Sequence, residues 1–136
     1  MPAPPGYTIR FPKQGSAPAK HGSIAFKDKH WKVFQAVNQE ARAQVASVMR
    51  AWCDRGPIDI PHTKFKFQQW YERHGRKVRI DTFKGHQVRF YGATTQIDGK
   101  PMFLVTGCDT AKKDHDADDE ILKAAGKAAF QLIHGS

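Results

Sequence analysis

From His30 onward, Trp31, Phe34, Val37, Ala41, Val45, Val48 and Trp52 recur at steps of three or four residues, the spacing of one buried helical face. Asn38, followed by Gln39 and Glu40, can cap a second helix, so the segment reads as a helical pair or one long helix, ended by Gly56-Pro57. Three runs with strand character follow, Arg76–Phe83, Gln87–Thr95 and Pro101–Thr106, separated by Lys84-Gly85-His86 and by Asp98-Gly99. Short glycine-containing junctions of this kind predict antiparallel hairpins. A last helix is predicted from near Asp114 to Ile133, where Ile121, Leu122, Ala125, Ala129 and Leu132 keep helical spacing behind an acidic first turn that suits a helix N-terminus. Upstream, Tyr7–Phe11 alternates like a strand and Ser23–Phe26 is a second candidate, while Ile58–Gln69 stays unassigned.

The alternation predicts where side chains go. In the first run Val78, Ile80 and Thr82 share one face, with Lys77, Arg79 and Asp81 on the other; in the second, Val88 and Phe90 oppose Arg89 and Tyr91. The expectation is a sheet with one apolar side and one side that presents cations. The fold class expected is α+β: a small antiparallel sheet of three to five strands packed against an N-terminal helical hairpin or long helix, with a C-terminal helix. Residues 1–22 hold five of the eight prolines and read as a flexible arm, leaving 23–136 as a single domain.

Composition narrows the function. Twenty-two Lys and Arg against 13 Asp and Glu give a net charge of +9, and the thirty residues from His62 to Tyr91 hold eight cations and two acids. A field of that sign draws polyanions. No apolar stretch approaches the roughly 20 residues of a membrane span, and no secretory signal opens the chain, so a cytoplasmic setting with no membrane partner is expected. Cys53 and Cys108 form no C-x-x-C pair, and His62, His74 and His86 match no metal-ligand spacing. Asp114, Asp116 and Asp118 start like a calcium loop, but Asp119 stands where glycine is needed and Ala125 where the bidentate glutamate belongs. Neither a metal nor a cofactor is expected.

On a cationic sheet face, Arg79, Arg89, Lys84 and Tyr91 suit single-stranded RNA, because guanidiniums pair with phosphates and aromatic rings stack on unpaired bases. RNA carries its own nucleophile, so metal-free cleavage needs only a proton acceptor for the 2′-OH, cations around the phosphate and a proton donor for the leaving oxygen. His86 and His115 are candidates for proton transfer, as imidazole titrates near neutral pH; a Lys or Tyr in a cationic site is another.

The strings Val78-Arg79-Ile80, Val88-Arg89-Phe90-Tyr91, Phe103-Leu104-Val105, Ala111-Lys112-Lys113 and Asp119-Glu120-Ile121-Leu122, in this order, resemble the RelE/ParE superfamily, particularly its HigB-type, phage-derived branch. The resemblance covers about residues 30 to 133 and is best from Arg76 onward. It implies a RelE-like domain and the toxin of a type II toxin–antitoxin pair, an endoribonuclease that cuts mRNA, commonly on the ribosome, and inhibits translation until an antitoxin masks it. Carried over, it implies that Arg79 and Arg89 hold or stabilise the scissile phosphate and that Lys112 and Lys113 add phosphate contacts; Lys77 and Lys84 are RNA-binding candidates from the cationic sheet face itself. The acidic stretch Asp114–Asp118 and the Pro-rich arm depart from the family's pattern. A non-catalytic binder of RNA or DNA, and a protein-directed host-inhibition factor of gyrase or phage type, are the alternative functions.

Overall fold

The computed structural model describes residues 3–110 and 118–135. Its elements run β1 (Tyr7–Phe11), β2 (Ser23–Lys27), α1 (Asp28–Ala36), α2 (Gln39–Arg55), β3 (Phe65–Arg73), β4 (Arg76–Gly85), β5 (Val88–Ile97), β6 (Lys100–Asp109) and α3 (Asp119–His134). The strands form one sheet in the order β1-β2-β6-β5-β4-β3. All neighbours are antiparallel except β2 and β6, which are parallel because the chain crosses over through the rest of the domain.

This corrects the expected sheet of three to five antiparallel strands. Both N-terminal candidates join, as a β1–β2 hairpin that buries Tyr7 and Phe11. The previously unassigned stretch supplies β3, whose alternation is interrupted by a bulge between Phe67 and Gln69. An extra residue there puts Phe65, Phe67 and Trp70 on one face, a pattern that period-two counting does not find.

The helical break falls where the cap predicts. The Asn38 side chain accepts a hydrogen bond from the Ala41 backbone N–H at 2.9 Å, and Gly56, at φ +79°, stops α2. The α1–α2 layer covers one face of the sheet: Phe34, Val45, Met49 and Trp52 pack on Phe26, Phe83, Phe90 and Phe103. On the opposite face α3 sets Leu122, Ala125, Ala129 and Phe130 against Val78, Ile80, Tyr91 and Ala93. Both faces of the sheet are therefore largely buried, which overturns the expectation of an apolar side and an open cationic side. Close helix–sheet approach uses small residues: a Cβ at Gly107 would meet the Ala125 Cβ at 2.8 Å, and one at Gly126 the Tyr71 ring at 2.5 Å.

Candidate nucleic-acid interface

The register of β4 against β5 decides which cations meet. Gly85 pairs with Val88, leaving a two-residue turn at His86-Gln87 in place of the expected three-residue junction Lys84–His86. The two registers differ by an odd number of residues, and an odd slip exchanges the face of every side chain. Lys84 is opposite Arg89 and Thr82 opposite Tyr91, so these share the α3 face. Arg79 lies with Asp81 and Phe83 on the α1–α2 face. Arg79 and Arg89 thus point to opposite sides of the sheet, and the shared two-arginine phosphate platform expected from the sequence does not form.

What does form is a cluster on the α3 face at the end of the sheet beside the first turn of α3. Lys84 on β4 faces Arg89 on β5 and lies within hydrogen-bonding reach of Lys66 on β3. Thr82 Oγ1 donates to Gln68 Oε1 at 3.0 Å on the same face. Burial, reinforced by the positive charges of Lys66 and Arg89, pulls the Lys84 ammonium down to about 8, so near neutral pH it exchanges a proton readily. Arg89 is 8% exposed, and Tyr91 is at 0%. The guanidinium therefore acts mainly through its field, and the Tyr91 ring is a packing group rather than a stacking surface for bases. Burial raises the Tyr91 hydroxyl's pKa against the lowering effect of Arg89, with Asp109 and Asp118 adding to the rise. Asp109 is the β6 residue opposite Arg89, so the cluster has an acidic border.

Lys77 and Arg79 belong to a different surface, on the α1–α2 side of the β3–β4 hairpin beyond the reach of α2. The Arg79 guanidinium bonds Asp81 at 2.8 Å and lies 4.8 Å from the Phe67 ring centroid; Lys77 Nζ is 4.3 Å from the Trp70 ring centroid. Burial raises the Asp81 carboxyl's pKa, and the hydrogen bond from Arg79 opposes it. His86 sits exposed in the β4–β5 turn, whose backbone N–H donates to Gln44 Oε1 of α2 at 2.7 Å. It is on neither cluster. His115, Lys112 and Lys113 lie outside the described residues.

Lys66, Gln68 and Thr82 are the members of the α3-side cluster that sequence reading misses. The available signal was the Phe65-Lys66-Phe67 alternation, hidden by the bulge that follows it. Among the described residues no group of three or more His, Cys, Asp or Glu side chains is placed to hold a metal ion, and no helix is long and apolar enough to cross a membrane. No family model, no curated protein and no solved structure matches the chain.

Proposed function

We propose that the protein binds RNA at the Lys66–Lys84–Arg89 cluster and cleaves it without a metal ion. The observation that carries this reading is the juxtaposition of two lysine amines with a buried guanidinium, one amine's affinity for protons being lowered by burial and then by that company. In the reaction the Lys84 amine accepts the 2′-OH proton, the 2′-oxygen bonds to phosphorus, the Lys66 ammonium donates a proton to the departing 5′-oxygen, and the P–O5′ bond breaks. The products are a 2′,3′-cyclic phosphate and a 5′-hydroxyl. Arg89 stabilises the charge that builds on the phosphorus oxygens and keeps Lys84 a usable base. His86 and Arg79 have no part in this scheme.

The setting we propose is that of a toxin acting on mRNA and masked by a cognate antitoxin, which rests on the order of residues resembling the RelE/ParE superfamily. A second reading, a non-catalytic RNA binder, is favoured by the burial of Arg89 and Tyr91, which leaves Lys66 and Lys84 as the residues of this cluster open to RNA. The two separate in one assay. With end-labelled RNA in excess chelator, cleavage to cyclic-phosphate ends that is lost in Lys84→Met supports the first; intact RNA at every pH, with binding that weakens as salt rises, supports the second.

A further inference from the structure

The β3–β4 hairpin carries a feature that the cleavage scheme leaves unused. On its α1–α2 face Phe67 and Trp70 are exposed at 39% and 51%, while the other large apolar side chains described in the sheet are buried or half-buried. Their rings lie 5.7 Å apart between centroids, and each has a cation against it, Arg79 on Phe67 and Lys77 on Trp70. The tight turn at His74-Gly75 adds exposed Arg73 and Arg76 at the hairpin's tip. Glu72 and Asp81 are the acids of this hairpin, and Asp81 is already engaged by Arg79. The excess of positive charge over exposed aromatic surface is complementary to a strand that carries both phosphates and bare base faces.

We propose that Phe67 and Trp70 form a stacking platform for unpaired bases of a single-stranded RNA whose phosphates pair with Lys77 and Arg79. Bases stack on aromatic rings and on guanidinium planes alike, so the Arg79–Phe67 pair offers a stacking surface along with the open side of Trp70. The position of β3 at the edge of the sheet gives the arrangement its use. Lys66 and Phe67 are consecutive residues that project to opposite faces, so the cleavage cluster and the platform are separated by the thickness of one edge strand. A single RNA strand that passes around this edge presents a phosphate to Lys66 and Lys84 and its flanking bases to Phe67 and Trp70. The platform thus rests on the RNA reading above and assigns to it a second contact, for nucleotides beside the scissile bond.

The test uses the full chain and a fluorescein-labelled 2′-O-methyl 12-mer of mixed sequence, which lacks the 2′-hydroxyl nucleophile, so binding is read apart from cleavage. Trp70→Ala is expected to weaken binding roughly five- to 150-fold, the span of one base–aromatic stack, while Trp70→Phe retains most of the affinity. Lys77→Met is expected to reduce the salt dependence of binding, since one phosphate contact is lost. Wild-type affinity in Trp70→Ala overturns the platform. So does concentration-dependent self-association, seen by sedimentation, that Trp70→Ala abolishes while RNA affinity is unchanged, because the face then serves a second copy. Wild-type protein that leaves RNA intact but shows the Trp70 dependence keeps the platform and removes the nuclease. Cleavage of the unmodified 12-mer that is lost in Lys84→Met, together with wild-type affinity in Trp70→Ala, does the reverse.

Discussion

The two faces of the β3–β4–β5 region carry the same residue types and use them differently. On the α3 side Lys84, Lys66 and Arg89 are drawn together under partial cover, and burial among like charges lowers the proton affinity of Lys84 to about 8. On the α1–α2 side Arg79 and Lys77 stand in the open against Phe67 and Trp70. Cover is the difference. Partial burial beside like charges favours the neutral amine of Lys84; on the other face Arg79 bonds Asp81 and Lys77 lies against Trp70, with both side chains exposed to solvent.

The largest expected effect sharpens this contrast. Lys84→Met should lower RNA cleavage about 10²–10⁴-fold, the contribution of a positioned general base, while changing affinity little. Next in size is the cost of emptying the covered side: Phe130→Ala, where α3 packs on the sheet, should destabilise the fold by about 3–5 kcal/mol, as buried phenylalanines do, whereas Trp70→Ala on the open side should stay within about 0.5 kcal/mol. Denaturant unfolding of both variants checks this, and equal costs would break the comparison. Gly75→Ala comes below that. Gly75 sits at φ +75° in the turn of the hairpin, and a Cβ in that region costs about 1–2 kcal/mol.

Two smaller effects follow pH. Because the base must be unprotonated, cleavage should rise as pH passes through about 8; in the residual activity of Lys66→Met, which also loses the proton donor to the leaving oxygen, removal of one neighbouring positive charge should move that inflection to higher pH. Stability should respond to His30. Burial, with Lys29 and Lys27 nearby, lowers its pKa from 6.5 to about 4, opposed by a backbone hydrogen bond with Val105. The unfolded chain therefore takes up this proton first, and stability should fall as pH drops from 6.5 toward 4. His30→Gln should flatten the midpoint of thermal unfolding across that window.

Much of this architecture was legible in the chain, because local rules fixed it. The helical stripe from Trp31 to Trp52, the Asn38 cap and the Asp98-Gly99 turn each followed from spacing or turn chemistry and appear where expected. The faces of the arginines were not legible, since they depend on whether the β4–β5 turn contains two residues or three, and Lys84-Gly85-His86 favours the wrong count. Strand β3 escaped because its bulge at Phe67–Gln69 breaks the alternation that announces a strand. Lys66 was lost with it. Arg89, Lys84 and Tyr91 do come together, though Tyr91 serves the core rather than the ligand.

The turnover of saturating RNA by Lys84→Met and Arg79→Met, measured side by side in chelator, tests the assignment of the two faces most directly. Loss of turnover in Lys84→Met with near-normal turnover in Arg79→Met is the predicted result. Near-normal turnover in Lys84→Met with loss in Arg79→Met would place the chemistry on the open face and contradict the account.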